Sequence, residues 1–578
     1  MKKSNFSKFI AGMALTFGAL TTSNAQTNLG ADCGCPAVGL RTPINVSTMP
    51  GATVIAGDPD AYQLTAGATF TCDNVYTLDK KIYIPSGQTL TIAPGSLIKG
   101  AFAALPADAT ALVIERGGKI IAPGTERCPI VFTAAGDNLD GTFPITSIGQ
   151  WGGITILGRA HNNLLVAENG TAPTSGRLAL GDGLGVIEGY ANTGAHNRFG
   201  VLTAGVVAGE TVGSFDNNDN SGIMRYVSIR HAGASLEVGA EINGLTMGSV
   251  GSGTTLEHIE IVSCADDNIE LFGGTVNLKY VTSIFGNDDM LDWDLGWTGK
   301  VQFFFGMKND TGGSVDSDNG IEADGDDQKS NNTPYSHPIV RNATMLGNAK
   351  TTGTADNSAL AAINAKELTA GEIYNSVFAN YRNGLNMVKS LSGTRSFAEG
   401  GESWHNWYNN PATPTLPTAT TGNGTQSLKV VCNTFVNCTN PLTVGASSGA
   451  AGTALVGAEL TQFDVTDMND VVASVPGFDF SFVRAGNTFT TKNDPTPNPA
   501  LSVSGCPATP VDGFFEPADY RGAFSDEHGD NWLSNWTYTA VLDATKGVQA
   551  CPTDLNKDGS TDILDFLIFA PAFGTTCD

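Results

Sequence analysis

The sequence predicts an all-β chain wound as a parallel β-helix, a solenoid, with a small calcium-binding module at its C-terminus. Three observations carry this expectation. Strand-like phrases are short, apolar and β-branched, and Gly, Asn and Asp punctuate them. The phrases recur with a spacing of roughly 20–30 residues, the mark of stacked coils. A twelve-residue acidic loop closes the chain.

The strand phrases come first. "KIYIPSGQTLTIAPGSLIKG" is followed by "ALVIERGGKIIAPGTERCPIVFTA" and by "WGGITILGRA". Period-two alternation is clear at Ile82 and Ile84 and again at Leu90 and Ile92. Long amphipathic helical patterns are nearly absent. Strands of this kind suit a sandwich, barrel, propeller or solenoid, and repetition decides among them. "RYVSIRHAG", "LEHIEIVSC", "LKYVTSIFG", "VRNATMLGN" and "IYNSVFANY" align as one strand phrase. A second phrase follows each alignment and places an apolar residue before a polar one. The pairs are Ile269–Glu270, Leu291–Asp292, Ile321–Glu322, Ile363–Asn364 and Leu385–Asn386, in steps of 22, 30, 42 and 22 residues. Coils of strands without helices, lengthened here and there by loops, make a β-helix.

The 578 residues carry 31 Lys and Arg against 57 Asp and Glu, a net charge of −26. No basic stripe is visible, which excludes an ordinary nucleic-acid binder. The N-terminus has a basic start (Lys2, Lys3, Lys8), an apolar run from Phe9 to about Leu20, and a small-residue cut after Ala25. This is a secretory signal peptide, so the expected location is extracellular or on the outer cell surface. The apolar run is too short to span a bilayer, no later segment is long enough, and no Cys follows the cut to take a lipid. The expected organisation is signal peptide 1–25, N-terminal segment or cap 26–75, parallel β-helix 76–545 and calcium module 546–578. Ten Cys residues in an exported chain permit disulfides without fixing their pairing. Cys33/Cys35, Cys432/Cys438 and Cys551/Cys577 group locally, and Cys264 is as well explained by a buried thiol as by a bridge. No Cys or His spacing resembles a zinc site.

"LTIAPGSLIKG", "GGKIIAPGTERCPIVFTA" and "WGGITILG" resemble the opening coils of secreted bacterial β-helix proteins of the pectate-lyase-like superfamily. "EINGLTMGSVGSGTTLEHIEIVSCADDNIELFGGTVNLKY" and "DYRGAFSDEHGDNWLSNWT" are similar to an uncharacterised surface group within it. The resemblance covers about 76–545 and implies a right-handed helix. It does not imply one activity, because the superfamily holds lyases, hydrolases, adhesins and inert spacers.

The C-terminal loop "DLNKDGSTDILDF" places Asp554, Asn556, Asp558, Asp562 and Asp565 at positions 1, 3, 5, 9 and 12. Gly559 falls at the sharp turn and the Ser560 carbonyl at position 7. Hard oxygens at this spacing wrap one Ca²⁺. Asp565 stands where an EF-hand has Glu, which resembles dockerin loops. A dockerin has two such repeats and one is present here, which counts against a cohesin-like partner. Cys551 and Cys577 bracket the unit, and metal plus disulfide would replace a core it is too small to build.

The acidic phrases "ADDNIELFGG", "NDDMLDWDLG" and "SDNGIEADGDD" fall on successive coils. With Ile269, Leu291 and Ile321 in the core, Glu270, Asp292 and Glu322 point outward. Asp266, Asp288 and Asp318 lie four residues earlier, and Asp294 and Asp324 two residues later. The expectation is an outer face of stacked carboxylates. Charges about 4.8 Å apart repel by roughly 1 kcal/mol in water and more at lower dielectric. Three readings stay open: loops and water spread and screen the charges, Ca²⁺ binds them, or a pair does acid/base work. For catalysis the candidates are Asp266, Asp267, Asp288 and Asp289. "ADDNIEL" is similar to the Asp-Asp element of polygalacturonases, but their Gly-His-Gly and Arg-Ile-Lys elements are absent, and "IRHAG" keeps only Arg230 and His231. A lyase base would come from Arg230, Lys279 or Arg341. Trp293 and Trp297, with Trp404, Trp407 and Tyr408 in "ESWHNWYNN", offer rings for stacking on sugars. The favoured function is structural, adhesive or glycan-binding, with a polysaccharide or cell-surface component as partner and Ca²⁺ as cofactor. The alternative is a polysaccharide lyase or glycoside hydrolase.

Overall fold

The computed structural model describes residues 26–546, apart from 105–107, 166–177, 188–189, 191–194, 238–239, 310–318, 326–332, 349–360, 367–368, 390–427, 447–452, 498 and 526–530. The segments expected to be a signal peptide (1–25) and a calcium loop (554–565) lie outside the described residues.

Strands stack in parallel through two long sheets, which is the predicted parallel β-helix. One sheet aligns Gly222–Arg230, Thr255–Val262, Asn277–Ile284, Lys300–Met307 and Ile339–Leu346. The other aligns Leu245–Gly248, Ile269–Phe272, Leu291–Asp294, Ile321–Ala323, Ala361–Ala365 and Asn383–Lys389. Register follows the repeat in the sequence. Leu245 pairs with Ile269, Glu270 with Asp292, Leu291 with Ile321, Ile321 with Ile363, and Ile363 with Leu385. The inward column of Ile and Leu is fully buried and shares one core with Ile259, Val281, Phe304 and Val340 from the facing strands.

Each long strand bends at one left-handed residue: Tyr226, His258, Tyr280, Phe303 and Asn342, with φ between 50° and 58°. Non-glycine residues pay about 1–2 kcal/mol for this conformation. The first four rings offset it by stacking on one another, at centroid distances of 4.2, 4.5 and 4.9 Å. The bend converts each long strand into two walls, so a coil has three sides. Where the second sheet ends, Ser249, Gly273 and Leu295 form the equivalent corner, all at positive φ.

Two features revise the expected boundaries. Parallel pairing begins before residue 76, with Thr42–Asn45 on Asn74–Leu78 and Ala68–Phe70 on Thr89–Ile92. The apolar phrases there are shorter, which hides them among turn residues. At the far end the last parallel strand among the described residues is Asp470–Val472. Residues 475–546 then run back as a strap over the long sheet instead of adding coils. The strap exists because the long sheet is apolar outside as well as inside. Val262, Ile284, Phe305, Met307 and Leu346 face out and pack against Phe478, Phe489, Phe524, Leu533 and Tyr538.

Disulfides join Cys33 to Cys128, Cys35 to Cys72, and Cys432 to Cys506. The groupings Cys33/Cys35 and Cys432/Cys438 are therefore not bonded pairs, Cys551 and Cys577 lie outside the described residues, and Cys264 is a buried free thiol. Among the described residues no helix is long and apolar enough to cross a membrane.

Candidate functional site

The turn that enters the second sheet repeats a polar position two residues before each aligned Leu or Ile. Asn243, Asp267, Asp289 and Asn319 occupy it on four successive coils. From Asp267 onward the side chains form a ladder. The Asp289 N–H donates to Asp267 Oδ1 at 2.8 Å, the Asn319 N–H donates to Asp289 Oδ1, and the Ala361 N–H donates to Asn319 Oδ1 at 3.1 Å. A short polar side chain does this because its oxygen reaches the backbone of the next coil. A second column lies one residue after the aligned apolar position: Thr155, Thr246, Glu270, Asp292, Glu322, Asn364, Asn386 and Thr443.

These columns bring the carboxylates together. Oxygens of Asp266, Asp267 and Asp288 lie within 4.8 Å of one another, and so do oxygens of Asp267, Glu270 and Asp292. The expectation of an open outer face needs correction. These side chains point away from the apolar core, yet Asp267, Glu270 and Asp292 are only 5–7 % exposed, Asp289 is buried, and Asp266 and Asp288 are half-buried. Asn243 Nδ2 donates to Glu270 Oε2 at 2.6 Å. Buried Lys308 donates to the Asp288 carbonyl.

Burial is the largest cause that pushes the Asp267 carboxyl well above the usual carboxylate range, and the nearby charges of Asp288, Asp292, Asp289 and Asp266 add to it. Burial also raises Asp289, while Lys308, the Asn319 N–H and Lys366 pull it back. Without a cation, the neutral form of Asp267 is favoured more than in an ordinary carboxyl. A bound cation reverses that balance, because a positive charge among the oxygens favours the ionised form.

The remaining expected site residues are placed differently. Asp294 is fully buried and accepts the Leu295 N–H. Glu322 and Asp324 pair with Lys366, the latter at 3.3 Å. Asp318 lies outside the described residues, as do Asp554, Asn556, Asp558, Ser560, Asp562 and Asp565. Trp293 and Trp297 do not form a sugar platform. Both are fully buried in the core, their indole N–H groups donating to Thr369 Oγ1 and the Val276 carbonyl, each at 3.1 Å. Parity explains this: Trp293 follows an outward Asp292 and so points in. Trp404, Trp407 and Tyr408 lie outside the described residues.

The expected bases do not meet the carboxylates. Arg230, Lys279 and Arg341 stand on the long sheet under the strap. Arg230 lies 4.2 Å from the centroid of the Tyr538 ring, Lys279 pairs with Glu516 at 3.0 Å, and Arg341 donates to the Ala508 carbonyl at 3.2 Å. Sequence reasoning missed Asn243, Lys308 and Lys366 as neighbours of the carboxylates. Asn243 was readable, since it sits at the same place in its coil as Asp267. The two lysines carry no periodic signal. The aromatic column at the bend was also readable, because Tyr226, His258 and Tyr280 align in the repeated strand phrase.

Comparison with known proteins gives one family. The model of the pectate-lyase-like β-helix domain matches residues 63–451. No curated protein and no solved structure matches the chain.

Proposed function

Since this chain belongs to the pectate-lyase-like β-helix domain family, we propose a carbohydrate-related role as a structural, adhesive or glycan-binding protein. It is exported by its N-terminal signal and works outside the cell or on the outer cell surface, with a polysaccharide or cell-surface component as partner. The C-terminal loop, through Asp554, Asn556, Asp558, Asp562, Asp565 and the Ser560 carbonyl, takes one Ca²⁺ and stabilises its own small module.

One observation supports binding over turnover. Two of the four candidate acid/base carboxylates, Asp267 and Asp289, are built into the wall of the helix. Asp267 and Asp289 each accept a backbone N–H of the next coil. General acid/base groups must reach a substrate proton at hydrogen-bond distance, and these are buried. Arg230, Lys279 and Arg341 stand on another wall beneath the strap.

The alternative, a polysaccharide lyase or glycoside hydrolase, draws on a different observation. Asp267 and Asp289 are adjacent carboxyls with raised proton affinity, a property of glycosidase acids. The test is incubation of the purified protein with acidic and neutral polysaccharides, with and without Ca²⁺. The expected result is co-sedimentation with one class of polymer, without new reducing ends or unsaturated products. Product formation that disappears in Asp267→Asn or Asp289→Asn would promote the enzyme reading.

A further inference from the structure

We propose that Asp267, Glu270 and Asp292, together with Asn243, form a calcium site that fastens three successive coils. It does not rest on the glycan-binding reading or on the C-terminal loop.

The triad comes from two neighbouring coils, and its oxygens lie within 4.8 Å of one another. Oxygens that share one Ca²⁺ at about 2.3–2.6 Å stand no further apart than roughly 4.6–5.2 Å. Mg²⁺, with bonds of about 2.0–2.1 Å and strict octahedral geometry, asks for a tighter cage. The donors are all hard oxygens, which suits Ca²⁺ over the softer transition metals.

An independent observation comes from Asn243, on the preceding coil and 3 % exposed. In its column, Asp267, Asp289 and Asn319 each turn an oxygen to the following backbone N–H. Asn243 breaks the series. Its amide stands beside Glu270, with Nδ2 donating to Glu270 Oε2 at 2.6 Å and to Thr246 Oγ1 at 3.3 Å. Its buried Oδ1 has no hydrogen-bond partner in the protein. A buried amide oxygen without a donor is costly, and an amide carbonyl is an ordinary calcium ligand.

The carboxylates are not a requirement of the fold. The same outward column is filled by Thr155 and Thr246 on one side and by Asn364, Asn386 and Thr443 on the other. Neutral rungs satisfy one another there, with Asn386 donating to Asn364 at 2.9 Å and Thr443 to Asn386 at 2.7 Å. Glu270, Asp292 and Glu322 replace that pattern; Glu322 pairs with Lys366, whereas Glu270 and Asp292, on the coils of Asp267 and Asp289, converge with Asp267.

The test uses the full mature chain carrying Asp558→Ala, which silences the C-terminal loop. After exhaustive chelation, calorimetric titration with Ca²⁺ is expected to show one bound equivalent, a raised melting temperature, and retention of the ion against excess Mg²⁺. Glu270→Gln and Asp292→Asn are each expected to weaken binding about tenfold or more, since ligand charge sets affinity. Asn243→Ala is expected to weaken it less, and Asp32→Asn, at an exposed carboxylate elsewhere, not at all. A folded Asp558→Ala chain that takes up no Ca²⁺ overturns the site, as does affinity unchanged by Glu270→Gln and Asp292→Asn. If those two variants fail to fold, the Asp558→Ala stoichiometry and the Asn243→Ala affinity decide. A result of zero equivalents, or no response to Asn243→Ala, overturns it.

Discussion

At the scale of single residues, the cost of burying charge decides behaviour. Asp267 stands in a ladder between Asn243 and Asp289, and Asn319, one rung further, shows that an amide fills the same role. Replacing it with Asn keeps the shape and removes a carboxyl that burial and four nearby carboxylates disfavour. In chelator at neutral pH, Asp267→Asn is therefore expected to melt at a higher temperature than the wild type. In saturating Ca²⁺ the order is expected to reverse, because a ligand is lost; thermal melts in both buffers read this directly. His258 gives a pH prediction. It lies between the Tyr226 and Tyr280 rings, and burial foremost, then Arg225, lowers its pKa to about 4. The folded value is below the unfolded one of about 6.5, so folding favours the neutral ring. Its contribution is whole above pH ~6.5, falls as pH drops toward about 4, and changes no further below that. His258→Phe, a ring like Phe303 in the same column, is expected to melt near the wild type at pH 8. At pH 4.5 it is expected to be more stable by about 1–3 kcal/mol.

Among the elements, the repeated coil was legible and its coverings were not. The positions of Ile269, Leu291, Ile321, Ile363 and Leu385 were readable because a fully buried column must be apolar on every coil. Their register in the structure is the one the spacing implies. Burial of the carboxylates was not readable, since a parity argument gives the direction of a side chain and says nothing of what lies over it. The strap was missed for a related reason. Phrases such as "FDFSFV" alternate as helix strands do, and only the apolar outer side of Val262, Ile284 and Met307 shows that a cover is needed. Docking of that cover has a testable anchor. Glu260 is fully buried and accepts from Ser228 Oγ at 2.6 Å, from the Tyr538 and Thr539 N–H groups at 2.7 and 3.0 Å, and from Thr539 Oγ1 at 2.9 Å. Glu260→Ala leaves those donors buried without an acceptor, at roughly 1–3 kcal/mol for each unsatisfied group. Limited proteolysis is expected to cut the variant within residues 500–546 under conditions that leave the wild type whole. Cutting at the same rate in both would refute the anchoring role.

For the whole molecule, the question is how a solenoid behaves as one unit. Coils that touch only their neighbours tend to melt piecewise, because stability is a sum of local terms. The strap changes that by adding contacts far apart in sequence. Asn535 bonds Glu126, and Asn487 bonds the Gly141 and Phe143 carbonyls. Arg521 donates to the Asn433 carbonyl at 2.7 Å and pairs with Asp470 at 2.8 Å. Early and late coils are thus held by one segment, itself bonded to the last coils through Cys432–Cys506. Reopening that 74-residue separation in the unfolded ensemble costs the native state about 2–5 kcal/mol. The loss falls on the strap first, since the walls of the core stay packed against one another without it. Calorimetric unfolding of the wild type in Ca²⁺ is accordingly expected to be one cooperative transition. With Cys432→Ser and Cys506→Ser together, an earlier transition is expected to separate, in which the strap leaves and the outer apolar side of the long sheet is uncovered. A dye that reports exposed apolar surface should rise in that first step and not in the wild type at the same temperature. A single transition that merely shifts downward would mean that the coils are cooperative through their own stacking and that the strap adds stability without joining them.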